Sequence, residues 1–490
     1  MSRQASTFEL ALPARDRSRP AWRWLYETLR QQILTGHLKA GARLPATRDL
    51  AEQYGFARGT IVSAFEQLKA EGYAEGQAGS GTYVTRALPE TLLQVGSLKS
   101  SKGGSAAAPK RSLAQYGKNV NLFPGYESRS TRAFRPNLPA LDLFPMELWT
   151  KITARVLRRA PTRALMGCES MGYLPLREIV AEYLSTSRGV QCSAMQIAIV
   201  SGIQEALDIT ARLLLEPGDI VCMEDPCYTG AAAVFAASQA RLRPTPVDDE
   251  GIVVRRLPRS NVRLVYVTPG HQFPLGVTMS LARRAALIEW ASKSGAMIFE
   301  DDYDCEYRYA GRSVPALQGL AQSSSVLYAG TFSKTLFPAL RLGYFVVPCD
   351  LIDRVEAMKS ITSRHAPVLD QAVLHSFMRE GHFNRHVRQM RAVYAERLGT
   401  LLAEAQAKLS GGLTITGVEA GLQTAGWLSP EFDAEQIAAA AANLNVEVTP
   451  LSRYAASKLL PDGLQLGFAA VSPREIRRGI EVLARAFDGQ

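Results

Sequence analysis

The sequence predicts an α/β protein in two parts. A small helical head closed by a hairpin precedes a large body built on a mostly parallel sheet, with a smaller C-terminal α/β subdomain. Three observations predict this. The net charge of +10 is concentrated at the front: of 56 Lys+Arg and 46 Asp+Glu residues, the first 135 positions hold 20 and 10, which leaves the rest balanced at 36 against 36. A stretch rich in Gly, Ser, Ala and Lys, without periodicity, then interrupts the chain. Beyond it, short apolar runs alternate with helical patterns, the order expected of parallel strands joined by helices.

At 490 residues the chain has material for several domains of the usual ~100–200 residues, which excludes a peptide or a single small module. Its 47% hydrophobic and 21% charged content is that of a globular protein, and no uncharged run approaches the ~18 apolar residues that span a bilayer. Membrane-spanning and wholly disordered classes are therefore excluded, and no membrane partner is expected. Met1-Ser2-Arg3-Gln4-Ala5 lacks a positive segment followed by an apolar one, so a cytoplasmic location is expected. Six cysteines (Cys168, Cys192, Cys222, Cys227, Cys305, Cys349) form no C-x-x-C pair. They predict reduced, mostly buried thiols, with neither a disulfide frame nor a metal site.

A basic head on a neutral body points to a polyanion-binding module attached to a domain with another task. In the head, residues 1–84, Trp22, Leu25, Leu29 and Ile33 recur at spacings of three and four and predict an amphipathic helix that stops near Gly36. Leu44-Pro45 to Gly55 predicts a short second helix. Ala57 to Leu68 predicts a third, with Ile61, Phe65 and Leu68 turned inward. Helix, glycine turn, helix is the helix-turn-helix plan, in which the start of the second of the pair reaches base edges. Tyr73–Glu75 and Thr82–Val84 flank a glycine-rich tip, Gly76 to Gly81, with the character of a wing. Residues 85–133 are expected to be a flexible basic linker.

Leu44-Pro45-x-x-Arg48-x-Leu50-Ala51, Arg58-x-Thr60, Glu71-Gly72-Tyr73 and Gly79-Ser80-Gly81-Thr82-Tyr83-Val84 together resemble the winged helix-turn-helix of GntR-type regulators. The resemblance implies a double-stranded DNA operator as partner. Arg48 and Arg58 are then expected to read bases or clamp phosphates, Thr47 and Thr60 to sit at phosphates, and the Gly79–Gly81 tip with Ser80 to enter the minor groove. Ala57 departs from the pattern, because the family usually has a helix-capping Ser or Thr there.

In the body, residues 134–490, the apolar runs end alike. Ile197–Val200 leads into Ser201-Gly202-Ile203-Gln204, Ile220–Met223 into Glu224-Asp225-Pro226-Cys227-Tyr228, and Leu264–Val267 into Thr268-Pro269-Gly270-His271-Gln272. Met297–Phe299 leads into Glu300-Asp301-Asp302-Tyr303, and Val326–Ala329 into Gly330-Thr331-Phe332-Ser333-Lys334. Polar residues just past the carboxyl ends of parallel strands mark where open α/β sheets bind ligands. A lysine among small hydroxyl residues can condense with an aldehyde as a Schiff base, and Ser/Thr hydroxyls with a helix-start Ser-Gly offer donors to a phosphate. Pyridoxal 5'-phosphate carries both groups. It also requires an acid beside its pyridinium nitrogen, a role that suits Asp301 at the end of a strand.

Asp301-Asp302-Tyr303, Gly330-Thr-Phe-Ser-Lys334 and Pro338-Ala-Leu-Arg341-Leu-Gly343 resemble fold-type-I aminotransferases. With the winged head in front, the whole chain resembles the MocR/GabR-type transcriptional regulators. The resemblance implies Lys334 as the Schiff-base lysine, Asp301 as the pyridinium partner, Tyr303 at the phenolic oxygen and Tyr228 stacked on the ring. It places Ser201, Gly202, Gln204, Thr331, Ser333 and Arg341 around the phosphate, His271 and Gln272 at the pocket wall, and Tyr173 at a neighbouring subunit's cofactor in a homodimer. Two positions depart. Gln465 stands where many aminotransferases have the arginine that clamps the substrate carboxylate, and Gly230 offers no charge where one regulator has a basic effector contact. An amide cannot reproduce a bidentate Arg–carboxylate bond, so amino-acid turnover is expected to be poor. His382 and His386 lie one helical turn apart without a third ligand and read as a solvated basic helix rather than a metal site. The chain is thus expected to be a DNA-binding regulator whose body senses a small amine, an amino acid or the cofactor itself; the alternative is a working aminotransferase carrying a DNA-binding head.

Overall fold

The computed structural model describes residues 12–13, 18–77, 80–86, 111–120, 132–159, 165–311, 314–321, 325–415, 417–457 and 461–488. The chain divides into two compact units, Met1–Arg111 and Ser112–Gln490.

In the first unit, α1 (Ala21–Leu34), α2 (Thr47–Tyr54) and α3 (Arg58–Ala70) enclose a core of Leu25, Leu29, Ile33, Leu50, Ile61, Phe65 and Leu68. The turn between α2 and α3 passes through Gly55 in the left-handed conformation, which closes α2. Trp22, in the first turn of α1, is 39% exposed and does not join the face of Leu25, Leu29 and Ile33. Trp24 is the buried tryptophan instead, packed on Phe56 with ring centroids 6.0 Å apart. β1 (Ala74–Gln77) and β2 (Gly81–Val84) pair antiparallel, with Gly76 opposite Thr82 and Gln77 opposite Gly81. Residues expected at the hairpin tip thus belong to the ladder. Of the remainder, Gly79 lies outside the described residues.

The second unit is built on an eight-stranded sheet. In chain order its strands are β3 (Ile197–Val200), β4 (Ile220–Asp225), β5 (Arg241–Asp248), β6 (Gly251–Ile252), β7 (Val262–Val267), β8 (Met297–Asp302), β9 (Val326–Thr331) and β10 (Gly343–Val346). They lie in the order β3-β10-β9-β8-β7-β4-β5-β6. β10 is antiparallel to both neighbours and β6 to β5, whereas the other pairs are parallel. Every residue of β3, β9 and β10 is buried, since helices cover both faces of such a sheet, and this is why these strands read as unbroken apolar runs. β11 (Leu413–Ile415), β12 (Gln423–Leu428), β13 (Thr449–Pro450) and β14 (Gly463–Gly467) form a second, antiparallel sheet in the order β11-β12-β14-β13. Leu464 and Leu466 of β14 join the core with Ile437, Ile476 and Ile480 of the covering helices, which gives the smaller α/β subdomain.

Two expectations are corrected here. His386 is only 5% exposed and lies edge-on to Phe144, so the helix His382–Lys408 is not solvated at that turn. The cysteines are all free, but only Cys222 and Cys305 are buried, while Cys168, Cys192 and Cys227, in loops between elements, are half-buried and Cys349 is exposed. Among the described residues no helix is long and apolar enough to cross a membrane.

Candidate functional site

The sheet register assembles the site. Gly343 of β10 is paired with Thr331 on one side and with Val200 on the other. The turn after β3 and the turn after β9 are therefore separated by a single glycine. From β3 come Ser201 and Gly202, the latter opening the helix Ile203–Leu214 at φ 104°. A side chain at Gly202 would be strained there, and its Cβ would lie 3.3 Å from Arg341 Nη2. The Ser201 N–H donates to Glu205, which also accepts from the wholly buried Lys359 (2.7 Å) and from Ser363 (2.6 Å). From β9, the Thr331 hydroxyl accepts from the Ser333 N–H (3.1 Å), and the Ser333 hydroxyl is buried without a partner among the described residues. Gly202, Thr331, Ser333 and the exposed Arg341 thus gather at one corner, at a helix start.

Lys334 follows directly, and its Nζ donates to the Asn137 carbonyl (2.9 Å). Asp301 lies on β8, opposite Ala329 of β9. Its Oδ2 accepts from the Tyr266 hydroxyl (2.6 Å), and its Oδ1 is buried with no partner among the described residues. Burial pushes the Asp301 carboxyl up to about 7; Asp302 and Asp304 reinforce the rise, and the Tyr266 hydrogen bond and the Lys334 charge offset part of it. Burial likewise pushes Glu224 up to about 7. The Tyr303 hydroxyl lies 3.0 Å from His271 Nδ1, which is 2.9 Å from Asp304.

Tyr228, at the start of the helix Thr229–Ala237, accepts from Gln204 Nε2 (3.0 Å) and stands edge-on to Phe273. A Cβ on Gly230 would sit 2.1 Å from that Gln204 nitrogen and 2.5 Å from the Tyr228 ring, so the absence of a side chain there is what lets the pair form. Gln272 is buried, and its amide donates to the Pro226 carbonyl (2.8 Å) and the Phe273 carbonyl (2.7 Å), which ties two loops together. Tyr173 donates its N–H to Gln371 and packs edge-on to His375.

In the head, Arg48 on α2 and Arg58 at the first residue of α3 are exposed and make no ion pair among the described residues. Thr47 and Thr60 are half-buried at the starts of the same helices, and the Ser80 hydroxyl is 2.6 Å from the Tyr83 hydroxyl at the wing. Ala57 provides no side-chain cap; the Thr60 N–H is met by the Ala57 carbonyl instead (2.9 Å).

Residues 23–84 match the model for bacterial regulatory proteins of the gntR family, and residues 146–483 match aminotransferase class I and II. The chain is similar over its whole length to the probable rhizopine catabolism regulatory protein MocR of Rhizobium meliloti, at 40% identity over 96% of this chain and 95% of that one. The chain belongs to the MocR-type regulators. A MocR-type chain joins a GntR-type DNA-binding domain to an aminotransferase-like domain, and the regulator expected from the motifs is what the comparisons show. The body is also similar to solved aminotransferases. The kynurenine aminotransferase of Pyrococcus horikoshii, in complex with PMP, has a TM-score of 0.69 and 29% identity over 74% of this chain and 92% of that one. LysN, the alpha-aminoadipate aminotransferase of Thermus thermophilus, complexed with N-(5'-phosphopyridoxyl)-L-leucine, has a TM-score of 0.66 and 28% identity over 73% and 92%. Aminotransferases of this fold depend on pyridoxal phosphate.

Sequence reasoning missed several residues that contact the candidate site. Asn137, Tyr266, Asp304 and Gln423 meet the expected residues only through tertiary contacts, Asn137 from 197 residues away from Lys334, and no local spacing signals them; Glu224, one of the polar residues at the strand ends, was assigned no role. On α3, Val62 and Ser63 are exposed beside Arg58 and add a methyl surface and a hydroxyl to the DNA-facing candidates.

Proposed function

We propose that the chain is a pyridoxal-phosphate-binding transcription regulator of the cytoplasm, active as a homodimer, whose body (134–490) senses a small amine, an amino acid or the cofactor itself. Its head (1–84) binds an operator and residues 85–133 link the two. The observation that carries this reading is the convergence of Lys334 with the Asp301 Oδ1, unpartnered among the described residues, next to the Gly202–Thr331–Ser333–Arg341 corner. Three chemistries are present there: an amine for an aldehyde, an acid for a ring nitrogen and donors for a phosphate. The donor set fits pyridoxal phosphate on all three counts.

When bound, the cofactor supplies an aldehyde that captures amines and a ring that withdraws electrons. Lys334 would hold the aldehyde end, and Asp301 would keep the ring nitrogen protonated; a positive nitrogen beside it would in turn favour the ionised carboxylate, against the burial that raises its pKa. Tyr303, steadied by His271, would donate at the phenolic oxygen, and Tyr228, braced by Gln204 and Phe273, would stack on the ring. Ser201, Gly202, Thr331, Ser333 and Arg341 would receive the phosphate, and Tyr173 would reach the site of a second copy.

Purified protein is expected to be yellow, and borohydride reduction followed by peptide mapping should fix the cofactor on Lys334. Lys334→Ala should lose the visible band, and fixation on a different lysine would refute the assignment. The intact Lys334–Asp301 pair favours a second reading, a working aminotransferase, which steady-state turnover separates from the first.

A further inference from the structure

Gln465 is completely buried on β14, and neither its Oε1 nor its Nε2 has a hydrogen-bond partner among the described residues. The pairing of β14 with β12 sets Gln465 opposite Ala425 and Gly467 opposite Gln423. Directly paired residues share a face and faces alternate along a strand, so Gln423 and Gln465 lie on one face while Leu464 and Leu466 pack against the helices. Gln423 ties that face to the Lys334 site. Its Oε1 accepts from the Asn137 N–H (2.8 Å), the Asn137 carbonyl accepts from Lys334, and its side chain lies beside the Tyr303 hydroxyl. A buried amide with both ends unmet is rare and costly in a folded protein, and one beside a binding site calls for a polar ligand group.

We propose that Gln465 recognises the uncharged polar end of a small amine effector, a hydroxyl or a carboxamide, and discriminates against a carboxylate. This rests on the reading of the Lys334 pocket as a cofactor and amine site. The chemistry of the amide selects the class. Oε1 needs a donor and Nε2 needs acceptors. A hydroxyl provides both, and a carboxamide pairs reciprocally. A carboxylate only accepts, so it would satisfy Nε2 and leave Oε1 against a negative oxygen. Charge balance disfavours it as well. Arg135, which follows the Phe134–Gly467 bridge beside β14, faces Glu447 at 3.7 Å; Arg453 holds Glu435 at 2.9 Å; Arg308 holds Glu419 and the Gly270 carbonyl. Burying a carboxylate without an uncommitted cation is heavily penalised.

The test uses full-length protein loaded with pyridoxal phosphate and titrated with matched amines of increasing chain length, each set comprising the amino alcohol, the amino amide and the amino acid. Propanolamine, β-alaninamide and β-alanine make one such set. Half-saturation is read both from the cofactor's visible spectrum and from operator affinity. The alcohol or amide should half-saturate at least about tenfold below the carboxylate, one hydrogen bond's worth of discrimination. Gln465→Arg should reverse the order. Gln465→Leu, close in volume and without a charge to bury, should erase the difference while keeping the cofactor band, and covers the case in which the arginine variant does not fold. A carboxylate preferred by the natural protein, a preference unchanged in Gln465→Leu, or no response to any set would each overturn the proposal. Absence of the cofactor band from the natural protein would refute the parent reading, and this one with it.

Discussion

At the scale of single residues, the site was legible where function demands a particular chemical group and illegible where a residue acts by supporting another. Lys334, Asp301 and Tyr303 stood out because an amine, an acid and a phenol at strand ends have few other uses in combination. Gln272 was expected at the pocket wall, but its position after Gly270-His271 carries no sign that its amide will bind the Pro226 and Phe273 carbonyls. His386 was read as solvated because a basic helix of Asn, Arg and Gln surrounds it in sequence, whereas in space Phe144 covers it. Burial pushes His386 down to about 4, and a hydrogen bond to the Thr335 backbone, next to Lys334, opposes only part of that shift. A pH dependence follows. Below the ordinary histidine value of ~6.5 the unfolded chain takes up a proton that the folded chain refuses until about pH 4, so stability falls as pH drops through that window. The loss is on the order of 3 kcal/mol at most. His386→Gln should flatten this part of the stability–pH curve in denaturant titrations between neutral pH and pH 5; identical slopes in both proteins would show that His386 titrates normally.

At the scale of elements, strands buried on both faces announced themselves as apolar runs, and all five that end at the site were readable: β3, β4, β7, β8 and β9. β10 carries the register that joins the Val200 and Thr331 turns, yet of its residues only Gly343 entered the reading, as the end of the Pro338–Gly343 motif, because antiparallel insertion into a parallel sheet leaves no local mark. β5 escaped notice for a different reason: its Arg241-Leu-Arg-Pro-Thr-Pro pattern alternates with charge and proline, as an outer strand does. The three helices of the head followed from periodicity and the Gly55 turn. Their exposed arginines lead to a prediction for α2 and α3. Arg58→Ala should weaken operator binding by about 1–3 kcal/mol if its side chain meets a base edge. Fluorescence anisotropy on labelled operator measures this, and unchanged affinity in both Arg48→Ala and Arg58→Ala would reject the docking of α3 into the major groove.

At the scale of the whole molecule, each unit has its own hydrophobic core, Trp24 to Val84 in the head and the clusters around the two sheets in the body, so each has the means to fold by itself. The division of charge along the sequence foreshadowed this division of labour, since the excess positive charge lies within the first 135 residues, in the head and still more in the linker that follows it, while the body is balanced. A segment of residues 1–90 should therefore bind the operator, but more weakly than the full-length homodimer, because two linked heads on paired half-sites gain effective concentration. Equal affinity of the segment and the full chain would argue against a dimeric reader. The central claim is that occupancy of the Lys334 site is read out at the DNA, as linkage requires of a ligand that binds two states unequally. One titration tests it most directly: an amine added to cofactor-loaded full-length protein on fluorescent operator, with the visible spectrum and the anisotropy recorded in the same cuvette. Both signals are predicted to move together with one midpoint, and the spectral change should persist without turnover when a keto acid is supplied. A spectrum that shifts while operator affinity stays constant, or sustained transamination at ordinary enzyme rates of roughly 1 per second or more, would contradict the account.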